Sequence, residues 1–251
     1  MLRELDNLLD GNLADSVLIS SSNTDGDFLL HHFLGKAIGG SYSRIIVLAL
    51  AQTVTHYNAV AQKLGVGLKS ACESGRVMFL DCLSPSHTST KVPVHQVTLD
   101  PDEDDALFKV YKLIKENCSP SVVILIDDLT MLVNLGFDVR TILDFCQHCM
   151  SLCATTGSFV AYIRNDINDA GVVDDETDLV QMQLRYWCSL HIHASGLSSG
   201  YSRAVHGDMS IRQSCLAQRK PNDKAKVTRV QYQVHEKGIS IFAKGTSAAV
   251  L

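Results

Sequence analysis

Ser16-Val17-Leu18-Ile19-Ser20-Ser21-Ser22-Asn23-Thr24-Asp25-Gly26-Asp27-Phe28 is a short apolar strand, a polar turn with one glycine, and the start of an apolar helix. Strand, loop and helix in that order are the setting of a phosphate-binding loop, whose pattern is G-x-x-x-x-G-K-[ST]. With Gly26 on the second glycine, Ser21 falls on the first, Asp27 on the lysine and Phe28 on the Ser/Thr. An anion therefore stands where phosphate needs a cation, and a benzyl group stands where magnesium needs a hydroxyl. A charge pair at 4 Å is worth about 4 kcal/mol at an effective dielectric near 20, so reversing its sign moves nucleotide binding by up to roughly 8 kcal/mol before screening. Thr24-Asp25-Gly26-Asp27 also reads as a capping box, with the acid complementing the positive end of the helix dipole. Two readings stay open on this motif: a loop whose own acid replaces the nucleotide, and an ordinary loop that never held one.

Outward from this stretch, strands and helices alternate. Residues 28–38 read as a helix stopped by Gly39-Gly40, with Phe28, Leu29, His32 and Phe33 on its buried stripe and His31-His32 on its surface and flank. Residues 44–50 form a near-continuous apolar run, as expected of a strand covered on both faces. A helix over 56–64, a strand over 76–81, a patternless loop over 84–101 and a helix over 102–117 with an acidic first turn follow. A strand over 121–127, a helix over 140–153 and a strand over 157–163 complete the alternation. It predicts a mainly parallel sheet with helices on both faces. The last quarter differs: residues 186–194, 209–216, 227–235 and 239–244 read as strands joined by hairpin signals. They predict an antiparallel extension of the same sheet, so that residues 1–251 form one domain.

Val122-Val123-Ile124-Leu125-Ile126-Asp127-Asp128 has the form of a Walker B strand, whose acid helps to hold magnesium. The alternative is a buried strand followed by a solvated, helix-capping acid pair. Together with the first motif it predicts a RecA-like P-loop fold with a degenerate loop. Without the lysine, Asp127 cannot complete a site that works by positioning and charge neutralisation. The expectation is no enzyme and no cofactor; the competing reading is an unconventional ATPase or a nucleotide-sensing switch using Asp127 and magnesium.

Composition narrows the rest. The chain has 251 residues, a formal net charge of −5 and 8 cysteines. The longest apolar run, 45–51, is too short to span a bilayer. Scattered cysteines read as reduced thiols of an intracellular protein. Cys146, Cys149 and Cys153 fall at helical spacing and predict packing rather than a metal site. His191 and His193 share one strand face without an acid or cysteine cluster, so no metal is expected there either. The acidic stretches 100–105 and 174–176 read as solvated loops. Against the acidic whole, residues 203–229 concentrate Arg203, Arg212, Arg219, Lys220, Lys224, Lys226 and Arg229, with only Asp208 and Asp223 opposing. Such a segment offers phosphate contacts to RNA, or serves as a solvated loop or a surface for an acidic partner.

Specific residues suggest a family. Thr24-Asp25-Gly26 with Phe28-Leu29 and His31-His32-Phe33, His56-Tyr57, Gln62-Lys63-Leu64-Gly65-Val66, Asp127-Asp128-Leu129 and Leu143-Asp144-Phe145 resemble the sixth subunits of the Elongator complex. So do Gly196-Leu197, Gly200, Arg203, Val205-His206-Gly207 and the ending Phe242-Ala243-Lys244-Gly245, Ser247, Ala249-Val250-Leu251. Residues 84–105 and the basic loop match nothing in that family's pattern. The resemblance implies a RecA-like fold without a working P-loop. It implies a hetero-hexameric ring with the fourth and fifth Elongator subunits, which binds tRNA and supports the modification of wobble uridines by the remaining Elongator subunits. It implies a cytoplasmic protein, with the nucleus left open as a second compartment, and no membrane partner. The radical and acetyl-transfer chemistry of that complex belongs to another subunit.

Overall fold

Near-continuous apolar runs become the middle of a ten-stranded sheet. The computed structural model describes residues 3–9, 13–83, 94–166, 174–197, 200, 202–213 and 226–243. Its strands are β1 (Ser16–Ser22), β2 (Arg44–Ala49), β3 (Val77–Asp81), β4 (Val94–Gln96), β5 (Val122–Asp127), β6 (Ser158–Arg164), β7 (Leu190–Ser195), β8 (Gly207–Gln213), β9 (Lys226–His235) and β10 (Gly238–Ala243). Across the sheet the order is β10-β9-β8-β7-β1-β6-β5-β2-β3-β4. From β7 to β4 every neighbouring pair is parallel; β7–β8, β8–β9 and β9–β10 are antiparallel. The parallel centre and the antiparallel flank are both as expected.

The helices are α1 (Arg3–Leu8), α2 (Asp27–Gly39), α3 (Val54–Leu64), α4 (Leu68–Glu73), α5 (Ala106–Glu116), α6 (Thr130–Leu135), α7 (Val139–Cys153) and α8 (Asp175–Trp187). Alternation along the strands builds two cores. Val17, Ile19, Val47, Val123 and Val160 face α2, α3 and α4; Leu18, Ile46, Ile124 and Phe159 face α5, α7 and α8. Beyond α8 the second face carries no helix among the described residues. There β8 alternates, with Met209 and Ile211 buried and Ser210 and Arg212 only half-buried, as suits a sheet covered on one side.

Several boundaries depart from expectation. His31, expected at the helix surface, is buried against His56 and Tyr57 of α3, and His32 is buried as its stripe predicts, with α1 beside it. Asp6 of α1 stands 3.3 Å from Lys36 Nζ and 3.5 Å from His32 Nε2. Burial pushes both imidazoles down to about 4, and they remain neutral near pH 7. The helix expected over 102–117 begins only at Ala106; Glu103 and Asp105 before it are held by Lys109. The acids at 174–176 do not form a loop but open α8, where Asp174 accepts the Thr177 N–H at 2.8 Å. Carboxylates suit that helix end. Tyr186, expected at the start of a strand, lies in the last turn of α8, and β7 begins at Leu190. Cys146, Cys149 and Cys153 are buried in the second core, where burial raises their thiols and disfavours the thiolate that a metal would need.

Candidate functional site

β1 continues through Ser22, so the turn before α2 is only Asn23–Gly26, tighter than the sequence pattern suggests. Its interior is filled by the chain itself. β6 runs parallel to β1 with Tyr162 opposite Ile19, and the wholly buried Tyr162 ring extends toward the turn. Its hydroxyl bonds Ser21 Oγ at 2.8 Å and accepts the Gly26 N–H at 3.3 Å. A Cβ on Gly26 would lie 3.0 Å from the Tyr162 ring and 3.1 Å from Ser21 Cβ. The glycine that the motif assigns to phosphate is thus required by a tyrosine.

The neighbouring donors are also used. Asn23, in the left-handed region with φ 53°, gives its N–H to Asp166 Oδ1 at 2.7 Å. Asp27 gives its N–H to Asp25 Oδ1 at 3.0 Å. Gly26, not Thr24, is the N-cap residue, and it offers no side-chain cap. The expected capping box is absent because Thr24 Oγ1 is turned to the Tyr232 hydroxyl at 3.1 Å. Phe28 stacks against Tyr232, with ring centroids 5.1 Å apart.

Asp27 points toward one cation. Arg164, at the end of β6, is 3.6 Å from Asp27 and 3.9 Å from Asp25, and Gln52 Nε2 donates to Asp27 at 3.3 Å. Burial pushes the Asp27 carboxyl up to about 6; Asp25 adds to this and Arg164 opposes it. The Walker B-like pair is walled in and not solvated. Asp127 accepts the hydroxyl of buried Tyr57, and its other oxygen is buried without a hydrogen-bond partner. Burial raises Asp127 to about 7, with the Tyr57 bond opposing and Asp27 adding. Asp128 accepts from the Thr130 and Arg164 N–H groups at 2.9 and 3.3 Å, and burial raises it as well. A cis peptide joins the two acids. Among the described residues, no group of three or more His, Cys, Asp or Glu is arranged to hold a metal ion.

Beside the closed turn lies an open cavity of about 780 Å³ bounded by Thr24, Asp25, Phe28, Leu197, His206 and Tyr232. Gly196 is needed at its edge, since a Cβ there would meet the Asn23 carbonyl at 2.7 Å. The basic residues separate. Arg212 and Arg229 meet at a second cavity, of about 210 Å³, with Arg185 of α8 and His191 and His193 of β7. Arg203, whose carbonyl accepts from Gln233, sits at the other end of the β8–β9 ladder, and Lys226 is exposed where β9 starts. Arg219, Lys220 and Lys224 lie outside the described residues.

The match to known proteins is end to end. A family model described as Elongation complex protein 6 covers residues 3–236. The chain belongs to the Elongation complex protein 6 family. Relatives named Elongator complex protein 6 include those of Danio rerio, 33% identical over 271 residues, and Homo sapiens, 31% identical over 274 residues; all of each chain is covered. A more distant one, from Dictyostelium discoideum, is 23% identical over 159 residues, covering 57% of this chain and 44% of its own. The fold is shared with a KaiC-like protein from Pyrococcus horikoshii at a TM-score of 0.58 and 9% identity, covering 94% of each chain. An uncharacterised protein from the same organism, solved with an unknown peptide, gives 0.63 at 10% identity, covering 97% of this chain and 98% of that one. The architecture is therefore the KaiC-like, RecA-type α/β fold.

For this member of the Elongation complex protein 6 family, sequence reasoning located Ser21, Gly26, Asp27, Phe28, Asp127 and Asp128 around one place. It missed Tyr162, Tyr57, Arg164 and Asp166, which occupy the donors and acids there. Tyr162 and Arg164 had one available signal: a tyrosine and an arginine two residues apart at the end of an apolar strand point to the same face. Knowing which face required knowing that β6 lies beside β1.

Proposed function

We propose that this chain is a non-catalytic structural subunit of Elongator. In this reading it joins the fourth and fifth subunits in a hetero-hexameric RecA-like ring, which binds tRNA and supports wobble-uridine modification in the cytoplasm and nucleus. The observation that carries the non-catalytic reading is the Tyr162 hydroxyl between Ser21 and Gly26. A phosphate would have to displace that phenol, and the Asp25 and Asp166 carboxylates as well, to reach the N–H groups of the turn. Phosphoryl transfer needs those donors together with cationic neutralisation, and Asp27 supplies the opposite charge.

Assembly is supported by apolar side chains left outside. Leu179, Met182 and Tyr186 stand along one side of α8, 50%, 54% and 64% exposed. Exposed apolar stripes of this kind mark interaction surfaces. RecA-like rings place each nucleotide site at a subunit boundary; with that site closed, the boundary is permanent rather than gated.

Co-expression with the fourth and fifth subunits, followed by native mass measurement, tests the ring. A well-behaved monomer that ignores both partners counts against it. ATP·Mg titration tests the closed site: the chain is expected not to bind, and so is Asp27→Lys/Phe28→Thr, because Tyr162 still fills the turn. Tight binding by the unaltered chain overturns the assignment in favour of an ATPase or nucleotide switch.

A further inference from the structure

The second cavity lies between α8 and the face of β7, β8 and β9, which no other helix covers among the described residues. Register builds its floor: Ser20, His193, Ser210 and Arg229 are successive cross-strand neighbours, and so are His191 and Arg212 one rank away. Ser20 Oγ lies 2.8 Å from His191 Nε2 and 2.8 Å from His193 Nδ1, which fixes both rings. Arg185 closes the rim from α8.

The charges here are unbalanced. Among the described residues, none of Arg185, Arg212 and Arg229 has a carboxylate within ion-pair distance. His191, only 6% exposed, is driven down to about 3 by burial and then by Arg185, His193 and Arg212. Three arginines line one concave surface, and two of them, Arg185 and Arg212, are near enough to act on His191, so like charges share the site and an anion there would offset them. Guanidinium forks match phosphate oxygens in pairs. A water takes about 30 Å³ of liquid, so a cavity of about 210 Å³ suits one phosphate with a few waters rather than a whole nucleotide. Gln181, whose buried side-chain oxygen has no donor, would gain one from a water of the filled site or, where the occupant is a free phosphate, from its hydroxyl.

We propose that Arg185, Arg212 and Arg229 form a binding site for a single phosphate group between α8 and the β7–β9 face. The site is separate from the closed nucleotide turn. Its phosphate comes either from an RNA backbone or from a free phosphate compound; only the first source rests on the tRNA reading above.

The test uses the full chain, alone or in its co-expressed assembly, with inorganic phosphate as the probe and chloride at equal ionic strength as the control. Calorimetry and 31P line broadening are expected to show saturable phosphate binding. Arg212→Ala and Arg229→Ala should each weaken it roughly ten-fold or more. Arg185→Gln, on the exposed side of α8, should weaken it several-fold while leaving the melting temperature unchanged, which separates loss of the site from loss of the fold. Phosphate that competes with tRNA identifies a backbone phosphate as the occupant; phosphate that binds without competing identifies a free one, and both outcomes keep the site. Affinity unchanged by Arg185→Gln combined with Arg212→Ala, or binding no stronger than that of chloride, overturns the proposal.

Discussion

Ser20 and Ser21 are consecutive on β1 and look to opposite sides of the sheet. Ser21 meets the Tyr162 hydroxyl, in a turn where Gly26, Asn23 and Asp27 each have their N–H group satisfied from within the chain. Ser20 meets two neutral histidines, under three arginines that find no carboxylate among the described residues. One side is rich in acid and closed; the other is rich in cation and open. A single strand thus separates the turn whose sequence matches a phosphate-binding loop from the place where this chain has kept unspent hydrogen-bonding capacity. The acids at the turn are internal partners of the chain, bound to its own N–H groups and to Arg164.

The sharpest way to break that contrast is Tyr162→Ala. Loss of a buried aromatic, with Ser21 and Gly26 left unpartnered, is expected to destabilise the chain by about 3–5 kcal/mol in urea unfolding. Tyr162→Phe keeps the ring and should cost about 1–2 kcal/mol. A loss below 1 kcal/mol for the alanine variant would mean that the turn is not held from inside. Gly26→Ala comes next, at about 1–3 kcal/mol, from overpacking against the ring. In the Tyr162→Ala background that penalty should vanish; if it persists, the backbone alone demands glycine.

Acidity sharpens the same comparison. Folding raises Asp27 to about 6 and Asp127 to about 7, so the folded state holds protons there that the unfolded state has released. For these groups stability is highest below the unfolded carboxylate range and falls as pH rises from about 4 to about 7. His31, His32 and His191 act in the opposite sense, since their depressed values make folding less favourable as pH drops below about 6.5. Asp127→Asn removes one proton-linked cost and should raise stability at pH 8 by about 1–2 kcal/mol relative to pH 5. An unaltered difference between the two pH values would show that Asp127 is charged in the fold. The smallest effect expected is that of Arg164→Gln, about 0.5–1 kcal/mol, because its ion pairs with Asp25 and Asp27 are partly open to water. A pH titration of that variant should also find Asp27 protonating at higher pH, since its one opposing cation is gone.

Much of the closed side was legible in the sequence. The run 44–50 and the run 122–127 declared central strands because burial on both faces removes alternation. Ser21, Gly26, Asp27 and Phe28 marked a nucleotide turn that lacks its cation. What fills the turn was not legible, since Tyr162 reaches Ser21 across strands separated by 141 positions in the chain. The open side was harder. Arg212 and Arg229 stood out by charge, but Arg185, just before the residues 186–194 read as a strand, was not singled out; it lies in the last turn of α8. His191 and His193 were visible as a pair on one face, and their meaning depended on which strands lay alongside. His31 was read as a surface residue because its cover, His56 and Tyr57 of α3, lies 25 positions or more along the chain, while the burial of His32 was read from its stripe and only its neighbour, the six-residue α1, went unseen.

That same short helix has a consequence at the far border of the sheet. Glu4 takes the outward N–H of Ile241 at 2.6 Å, so α1 is fastened to β10. A border strand with open rungs invites another chain to add itself. Here one rung is already occupied and a helix lies alongside, which hinders growth by strand addition where β10 ends the sheet.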